Sequence, residues 1–199
     1  ASFNSTTIPF RRFNNEAIFY TELDLTIANI IAPSKAKIDS VLYLQYEDND
    51  LRKKAFFSPN TGYYQFKGNY AQSTALYFGG IATDEMFLIK AECLARLGNK
   101  DSALEVLNHL LVNRYDDTFV PVDLPSINET LDRILLERRK ELLMRGLRWI
   151  DIKRLNKEGY GITPKRLVGG TTYTLQPNVR YYALPLPTDI IKLTNIEQN

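Results

Sequence analysis

The sequence predicts a mainly α-helical fold in which helical hairpins are combined with irregular loops and short strands. Three observations predict it. Between Thr83 and Leu155, apolar residues recur at helical spacing over four successive stretches. These stretches are punctuated by helix start and stop signals: Gly98, the Pro121-Val122-Asp123-Leu124-Pro125 link, Ser126-Ile127-Asn128-Glu129 and Gly146. Outside that region, Gly and aromatic residues break the chain into short strand-like and turn-like runs. The reading is one domain over 1–199, with a loop-rich aromatic segment at 1–80, a helical core at 83–157 and an irregular carboxy-terminal segment at 158–199.

Taken in order, Glu16–Tyr20 and Leu23–Ile27 are compatible with two strands or one helix, and Pro33-Ser34 stops them. Lys37–Tyr46 places Ile38, Val41, Leu42 and Leu44 or Gln45 at helical spacing, and Asp48-Asn49-Asp50 reads as a solvated helix stop. These acids lack the Gly and distal Glu of an EF-hand loop, so no calcium is expected there. Phe56–Gly80 reads as an aromatic, partly exposed connection. Met86, Phe87, Ile89 or Lys90, Ala91, Leu94 and Leu97 describe the apolar face of a helix over about Thr83–Leu97, with Gly98 as its left-handed cap. Cys93, inside this pattern, reads as a small buried hydrophobe.

A second helix starts near Lys100 and carries Ala103, Leu104, Val106, Leu107, Leu110 and Leu111 up to the polar break at Asn113–Asp117. His109 is a helix residue on that face. The Ser126-x-x-Glu129 spacing opens a third helix that runs to about Arg145. After Gly146, a short fourth helix with Leu147, Trp149, Ile150, Ile152 and Leu155 ends before Gly159, and Trp149 reads as core. The remainder is strand-like and turn-like, most apolar at Tyr181–Pro187.

Composition narrows the function. Hydrophobic residues at 44% and charged residues at 24% of 199 support a packed fold. A net charge of +2 is too small for phosphate neutralisation, so nucleic acid is not an expected partner. One Cys and one His leave no intramolecular disulfide and too few ligands for a zinc site of that kind, and no metal or cofactor is expected. No run reaches the roughly 18–20 apolar residues of a membrane span, and Ala1–Pro9 lacks the pattern of an export signal. Gly-rich phosphate loops and nucleophile elbows are absent. Glu137 and Glu141 stand one turn apart, a spacing that two catalytic carboxylates could use. Among so many Arg and Lys residues they read instead as an ion-pair network, in which Arg148 and Asp151 return after the Gly146 bend to pair with them or with Arg138, so no catalytic residue is assigned.

Ala91–Leu104 resembles the middle of a tetratricopeptide repeat. Ala91 and Ala103 allow two helices to approach closely, Leu94 and Leu97 fill the groove between them, and Gly98 supplies the turn. The run Glu137-Arg138-Arg139-Lys140-Glu141-Leu142, followed by Arg145-Gly146-Leu147-Arg148-Trp149-Ile150-Asp151-Ile152-Lys153-Arg154-Leu155, resembles the carboxy-terminal hallmark of the SusD/RagB family. Asp50-Leu51-Arg52, Glu85–Glu92, Leu107-Asn108 and Tyr182–Pro187 agree with it in order, so the resemblance covers roughly Lys37–Asn199. It implies a helical, tetratricopeptide-like protein of the Bacteroidetes outer membrane, lipid-anchored in its full-length form, that captures nutrients at the cell surface. The expected partners are an oligosaccharide or polysaccharide and a SusC-like TonB-dependent transporter. An enzyme is not implied, and membrane contact is expected only through a lipid anchor absent from this chain. Family members are usually two to three times longer, so the chain reads as the carboxy-terminal part of such a protein.

Sugar rings present apolar faces edged by hydroxyls, so a glycan receptor offers aromatic platforms flanked by polar groups. Two stretches fit: Phe10–Asn15 with Tyr20, and Tyr63–Lys67 with Asn69 and Tyr70. The candidate ligand-binding residues are Arg12, Phe13, Tyr20, Tyr63, Tyr64, Phe66 and Tyr70. An oligopeptide receptor of the same architecture and a repeat-type protein-interaction module are the alternatives.

Overall fold

Glu16–Tyr20 resolves as strand rather than helix, because its backbone finds a partner far along the chain. The structure is a computed structural model that describes residues 8–24, 31–32 and 35–198. Strand β1 (Ala17–Phe19) leads to β2 (Glu22–Asp24), and Leu25–Ile27 and the Pro33-Ser34 stop lie outside the described residues. Helix α1 (Ser40–Tyr43) is shorter than the Lys37–Tyr46 pattern and is capped by the Asp39 carboxylate, which accepts from the Val41 N–H at 2.9 Å. Helix α2 (Leu51–Phe56) has no counterpart in the sequence reading. Asp50 is its N-cap, accepting from the Arg52 N–H at 3.0 Å, and is completely buried. This corrects the solvated-stop reading of Asp50, whose charge is matched inside the fold. Asp48 is exposed and pairs with Lys53 at 2.7 Å.

The aromatic connection folds into β3 (Phe57–Asn60), β4 (Tyr63–Phe66), β5 (Leu76–Phe78) and β6 (Ile81–Ala82). Strands β3 and β4 form a hairpin, while β1 pairs with β6 and β2 with β5, all antiparallel. Much of this segment is therefore core. Tyr46, Phe56, Phe57, Phe66 and Tyr77 are buried and meet edge to face, with ring centroids 5.0 Å apart for Tyr46–Phe57 and 5.6 Å for Phe56–Phe66. Gly68 permits this packing, since a Cβ there would lie 2.3 Å from the Phe56 ring.

The helical hairpin forms as expected. Helices α3 (Thr83–Arg96) and α4 (Lys100–Leu111) are joined through Gly98 at φ +83°, with Ala91 and Ala103 fully buried. The buried face of α3, however, is Asp84, Leu88, Ala91, Glu92 and Ala95. Met86, Ile89 and Cys93 point outward, and Leu97 is 76% exposed, which corrects both the groove-filling role of Leu97 and the buried reading of Cys93. Apolar periodicity misses this face because two of its members are acids with bases beside them: Asp84 meets Arg145 at 3.2 Å and Glu92 meets Arg96 at 2.8 Å. Helix α5 (Ile127–Glu141) opens with a complete capping box between Ser126 and Glu129. It stops at Glu141, before Arg145, as the chain turns through Met144 and Gly146 at positive φ.

The chain divides into two compact units at Gly146, inside the stretch 83–157 that reads as one helical core. In the second unit, α6 (Arg148–Lys157) ends before Gly159, β7 (Lys165–Val168) and β8 (Thr171–Thr174) form a hairpin, and a single 3₁₀ turn at Arg180–Tyr182 precedes α7 (Thr188–Thr194). Trp149 is 45% exposed and stacks on Tyr182 at 5.0 Å, so it is not the core residue its apolar neighbours suggest.

The first unit is held by a buried charge network. The Arg52 guanidinium donates to Asp50 (2.9 and 2.8 Å), Glu137 (2.7 Å) and Glu141 (2.8 Å). Lys140 reaches Asp50 at 2.8 Å and Glu137 at 3.3 Å, Arg133 reaches Glu137 at 3.0 Å, and Arg114 reaches Glu141 at 2.7 Å. Glu137 and Glu141 are thus paired as expected, with Arg52 and Arg114 among their partners; Asp151 pairs with Arg154 at 2.9 Å. Burial acts to raise the Glu141 carboxyl, but Arg114 and Arg52 outweigh it and hold it below the usual carboxylate range. At Asp50, burial is outweighed in the same way by Arg52 and Lys140. Replacing Arg52 by Met would take one counter-charge from each of three buried carboxylates, leaving Asp50 to Lys140, Glu137 to Lys140 and Arg133, and Glu141 to Arg114, and the expected loss is about 3–5 kcal/mol in urea unfolding. A loss under about 1 kcal/mol, typical of exposed pairs, would show that the network contributes little to stability.

Candidate ligand-binding surface

The amino-terminal candidates come together in one patch. Phe13 adopts the left-handed conformation, φ +54°, a strained choice for an aromatic residue, and its ring is 66% exposed. It packs on Tyr20 with centroids 4.3 Å apart, and the Arg12 guanidinium lies 5.2 Å from the Phe13 ring and 5.4 Å from the Tyr20 ring. Arg12 Nε donates to the Tyr20 hydroxyl at 3.1 Å, Tyr20 donates to the Glu22 carboxylate, and Arg12 also pairs with Glu22 at 2.9 Å. The Arg12 N–H donates to the Gln72 side chain at 3.1 Å. Burial and then the bond to Glu22 push the Tyr20 hydroxyl up, so it is a neutral donor at physiological pH. Beside the patch, an open recess of about 480 Å³ is lined by Pro9–Glu16 and Tyr70.

Tyr63 and Tyr64 form a second patch. Tyr64 stacks on Tyr43 at 3.8 Å with the rings 14° apart, and Lys37 Nζ lies 3.6 Å from the centre of the Tyr63 ring. Tyr63 is 51% exposed. Burial and then the neighbouring Tyr64 push the Tyr43 hydroxyl up to about 12. Phe66 and Tyr70 are placed differently. Phe66 is the inward residue at the end of β4 and belongs to the aromatic core, while Tyr70 is buried, packs on Phe10 at 5.0 Å and donates to Glu16 at 2.6 Å. Sequence reasoning does not nominate Glu22, Lys37, Tyr43 or Gln72, because strand pairing and ring stacking bring them to the patches without a local motif.

Glu16 anchors the first patch to the scaffold. Its carboxylate accepts two bonds from Arg114, at 2.9 and 2.8 Å, and Arg114 also holds Glu141. Carboxylate oxygens of Glu16, Asp84 and Glu141 lie within 4.8 Å of one another. Arg114, Arg145 and Arg52 meet their charges, so the cluster is an ion-pair knot rather than a cation site. Exposed ring faces edged by guanidinium, carboxylate and amide groups suit stacking against a sugar face with hydrogen bonds to its hydroxyls.

A helical-hairpin scaffold carries the exposed aromatic patches, and its buried acids Asp50, Glu137 and Glu141 are committed to ion pairs. The model of the SusD family matches residues 20–199, and the chain belongs to that family. It is 41% identical over 80 residues to the SusD-like protein P38 of Formosa agariphila, a match covering 37% of this chain and 16% of that protein. It superposes on a SusD-like carbohydrate binding protein from Bacteroides vulgatus with a TM-score of 0.62 at 23% identity, over 97% of this chain and 49% of the other. A second solved Bacteroides vulgatus protein gives a TM-score of 0.57 at 25% identity, over 80% of this chain and 37% of that one. The chain therefore spans about half the length of the first of these structures. Arg12 and Phe13 precede the family match. No helix among the described residues is long and apolar enough to cross a membrane.

The knot gives a pH signature. Burial, then the charge of Glu141, push the Asp84 carboxyl up to about 6 from its ordinary 3.8; Glu16 adds to this, and Arg145 and the Glu85 N–H oppose it. A raised carboxyl favours the protonated folded state, so its contribution is complete below the ordinary value and fades as pH rises through about 6. Relative to Asp84→Asn, the parent should lose up to about 3 kcal/mol between about pH 4 and 7, read by urea unfolding at each pH. A difference that does not change with pH would contradict this assignment.

Proposed function

We propose that this chain is the carboxy-terminal part of a cell-surface receptor, tethered to the outer membrane as a lipoprotein, that binds oligosaccharide for a SusC-type TonB-dependent transporter. Arg12, Phe13 and Tyr20 form one contact surface for the sugar, and Tyr63 and Tyr64 form another. The supporting observation is the Phe13 ring, held outward in a strained conformation over Tyr20 and edged by Arg12, Glu22 and Gln72. A buried ring would need no such polar edge, and an idle one would gain nothing from the strain. Membership of the SusD family and the likeness to the carbohydrate binding protein of Bacteroides vulgatus support the same class of ligand.

The test is affinity electrophoresis and calorimetry against a panel of neutral polysaccharides, using the parent, Phe13→Ala and Tyr63→Ala/Tyr64→Ala. Each variant should bind roughly tenfold more weakly, a loss of about 1.4 kcal/mol, with an unchanged circular dichroism spectrum. Undiminished affinity in both variants would remove these residues from the site. A protein-interaction role is the second reading, favoured by the outward Met86, Ile89 and Leu97 of the α3 segment. It prevails if no polysaccharide retards the chain while Leu97→Asp abolishes association with the transporter.

A further inference from the structure

The second unit contains a recess of about 360 Å³ lined by Lys153, Asn156, Lys157, Asn178, Val179 and Tyr182. Lys153 and Lys157 stand one turn apart on α6, so their ammonium groups share a side of the helix, where they repel each other. Neither forms an ion pair among the described residues, whereas Arg154 on the same helix is held by Asp151 at 2.9 Å. The one aromatic residue lining the recess, Tyr182, is held in place. Tyr182 is buried, stacks on Trp149 at 5.0 Å with the rings 27° apart, and accepts from Asn156 Nδ2 at 3.3 Å. Asn156 is fully committed: it accepts from the Ile162 N–H at 2.6 Å, donates to the Ile162 carbonyl at 2.8 Å, and its own carbonyl accepts from Asn178 Nδ2 at 3.0 Å. The polar groups left over at the recess are two ammonium ions, the Tyr182 hydroxyl proton and the Asn178 side-chain oxygen.

The recess thus sets two cations beside one aromatic ring and Val179. A bare inorganic anion would use the lysines and ignore the Tyr182 ring, while a neutral sugar would use the ring and leave two repelling cations unmatched. A ring that carries both an apolar face and a negative group uses everything present, and the volume lies within the range of small-ligand pockets. We propose that the recess binds an acidic saccharide unit, its carboxylate or sulfate between Lys153 and Lys157 and its ring beside Tyr182, which Trp149 backs. This rests on the reading of the chain as a glycan receptor, and it adds a second subsite and a charge class.

The experiment uses the whole chain, with digalacturonate, a monosulfated galactose disaccharide and neutral lactose as probes. Readouts are calorimetry and the fluorescence of Trp149, the single Trp. An acidic probe should change the fluorescence and lactose should not; the stronger of the two acidic probes identifies the anion. Lys153→Gln/Lys157→Gln should weaken the acidic probe about tenfold or more, and raising salt from about 50 mM to about 200 mM should weaken it in the parent. Equal responses to acidic and neutral probes, no response to any probe, or unchanged affinity in the double variant would each overturn the proposal. Acidic-probe binding should survive in Phe13→Ala. If that variant and the parent both fail on neutral polysaccharides while the acidic response persists, the aromatic-patch reading fails and this subsite stands.

Discussion

Arg52 has to remain paired with three carboxylates in a place where water does not reach. Its side chain is 2% exposed, and its partners come from the cap of α2 and from two successive turns of α5. Removing any one of these charges from water costs several kcal/mol, and only complete pairing offsets that cost. Lys140, Arg133 and Arg114 complete it, so four bases face Asp50, Glu137, Glu141 and Glu16. Such a set tolerates little displacement. A shift of α2 against α5 by one side-chain length would leave an ion without its counterpart, and the arrangement fixes register where apolar packing alone would permit sliding.

The same network reaches the candidate surface. Arg114 follows α4, and its backbone carbonyl accepts from the Leu51 N–H at 2.9 Å, so the start of α2 and the end of the hairpin are tied before any side chain is counted. The guanidinium then spans from Glu141 to Glu16. Glu16 immediately precedes β1, and its carbonyl accepts from the Thr83 N–H at 2.9 Å. The segment bearing Arg12, Phe13 and Tyr20 is thus held at Glu16 by backbone and by charge. Its rings are presented from a fixed point, which lowers the ordering cost of binding.

The helices from Thr83 to Glu141 are legible in the sequence because they follow local rules: apolar spacing, Gly98 in the left-handed region and the Ser126–Glu129 box. Two things are hidden. Asp84 and Glu92 lie on the buried face of α3, and no hydrophobicity pattern registers an acid buried beside a base. The partners of Glu137 and Glu141 are also hidden, since Arg52 lies 85 positions from Glu137, while Arg148 and Asp151 stand closer in sequence. At the surface, the Phe10–Asn15 cluster is legible as aromatic residues among polar ones. Phe66 is not separable from Tyr63 and Tyr64, because a four-residue strand is too short for its alternation to declare which side faces in.

The sorting of rings carries the functional argument one step further. Phe56, Phe57, Phe66 and Phe78 are buried, as are Tyr46, Tyr70, Tyr77, Tyr115 and Tyr182, whereas Tyr63, Tyr64, Tyr173 and Tyr181 are exposed, a position their polar tip tolerates better than a bare ring does. Among the described residues the exposed phenylalanines are Phe13 and Phe19. Both lie within a few positions of Glu16, in the segment that the charge network holds. Two bare rings in water are unfavourable by the hydrophobic effect, and one of them is strained as well. A fold that covers its other described phenylalanines wholly or in part but holds these two outward, on a segment tethered by an ion pair, supports the proposal that this segment is a contact surface.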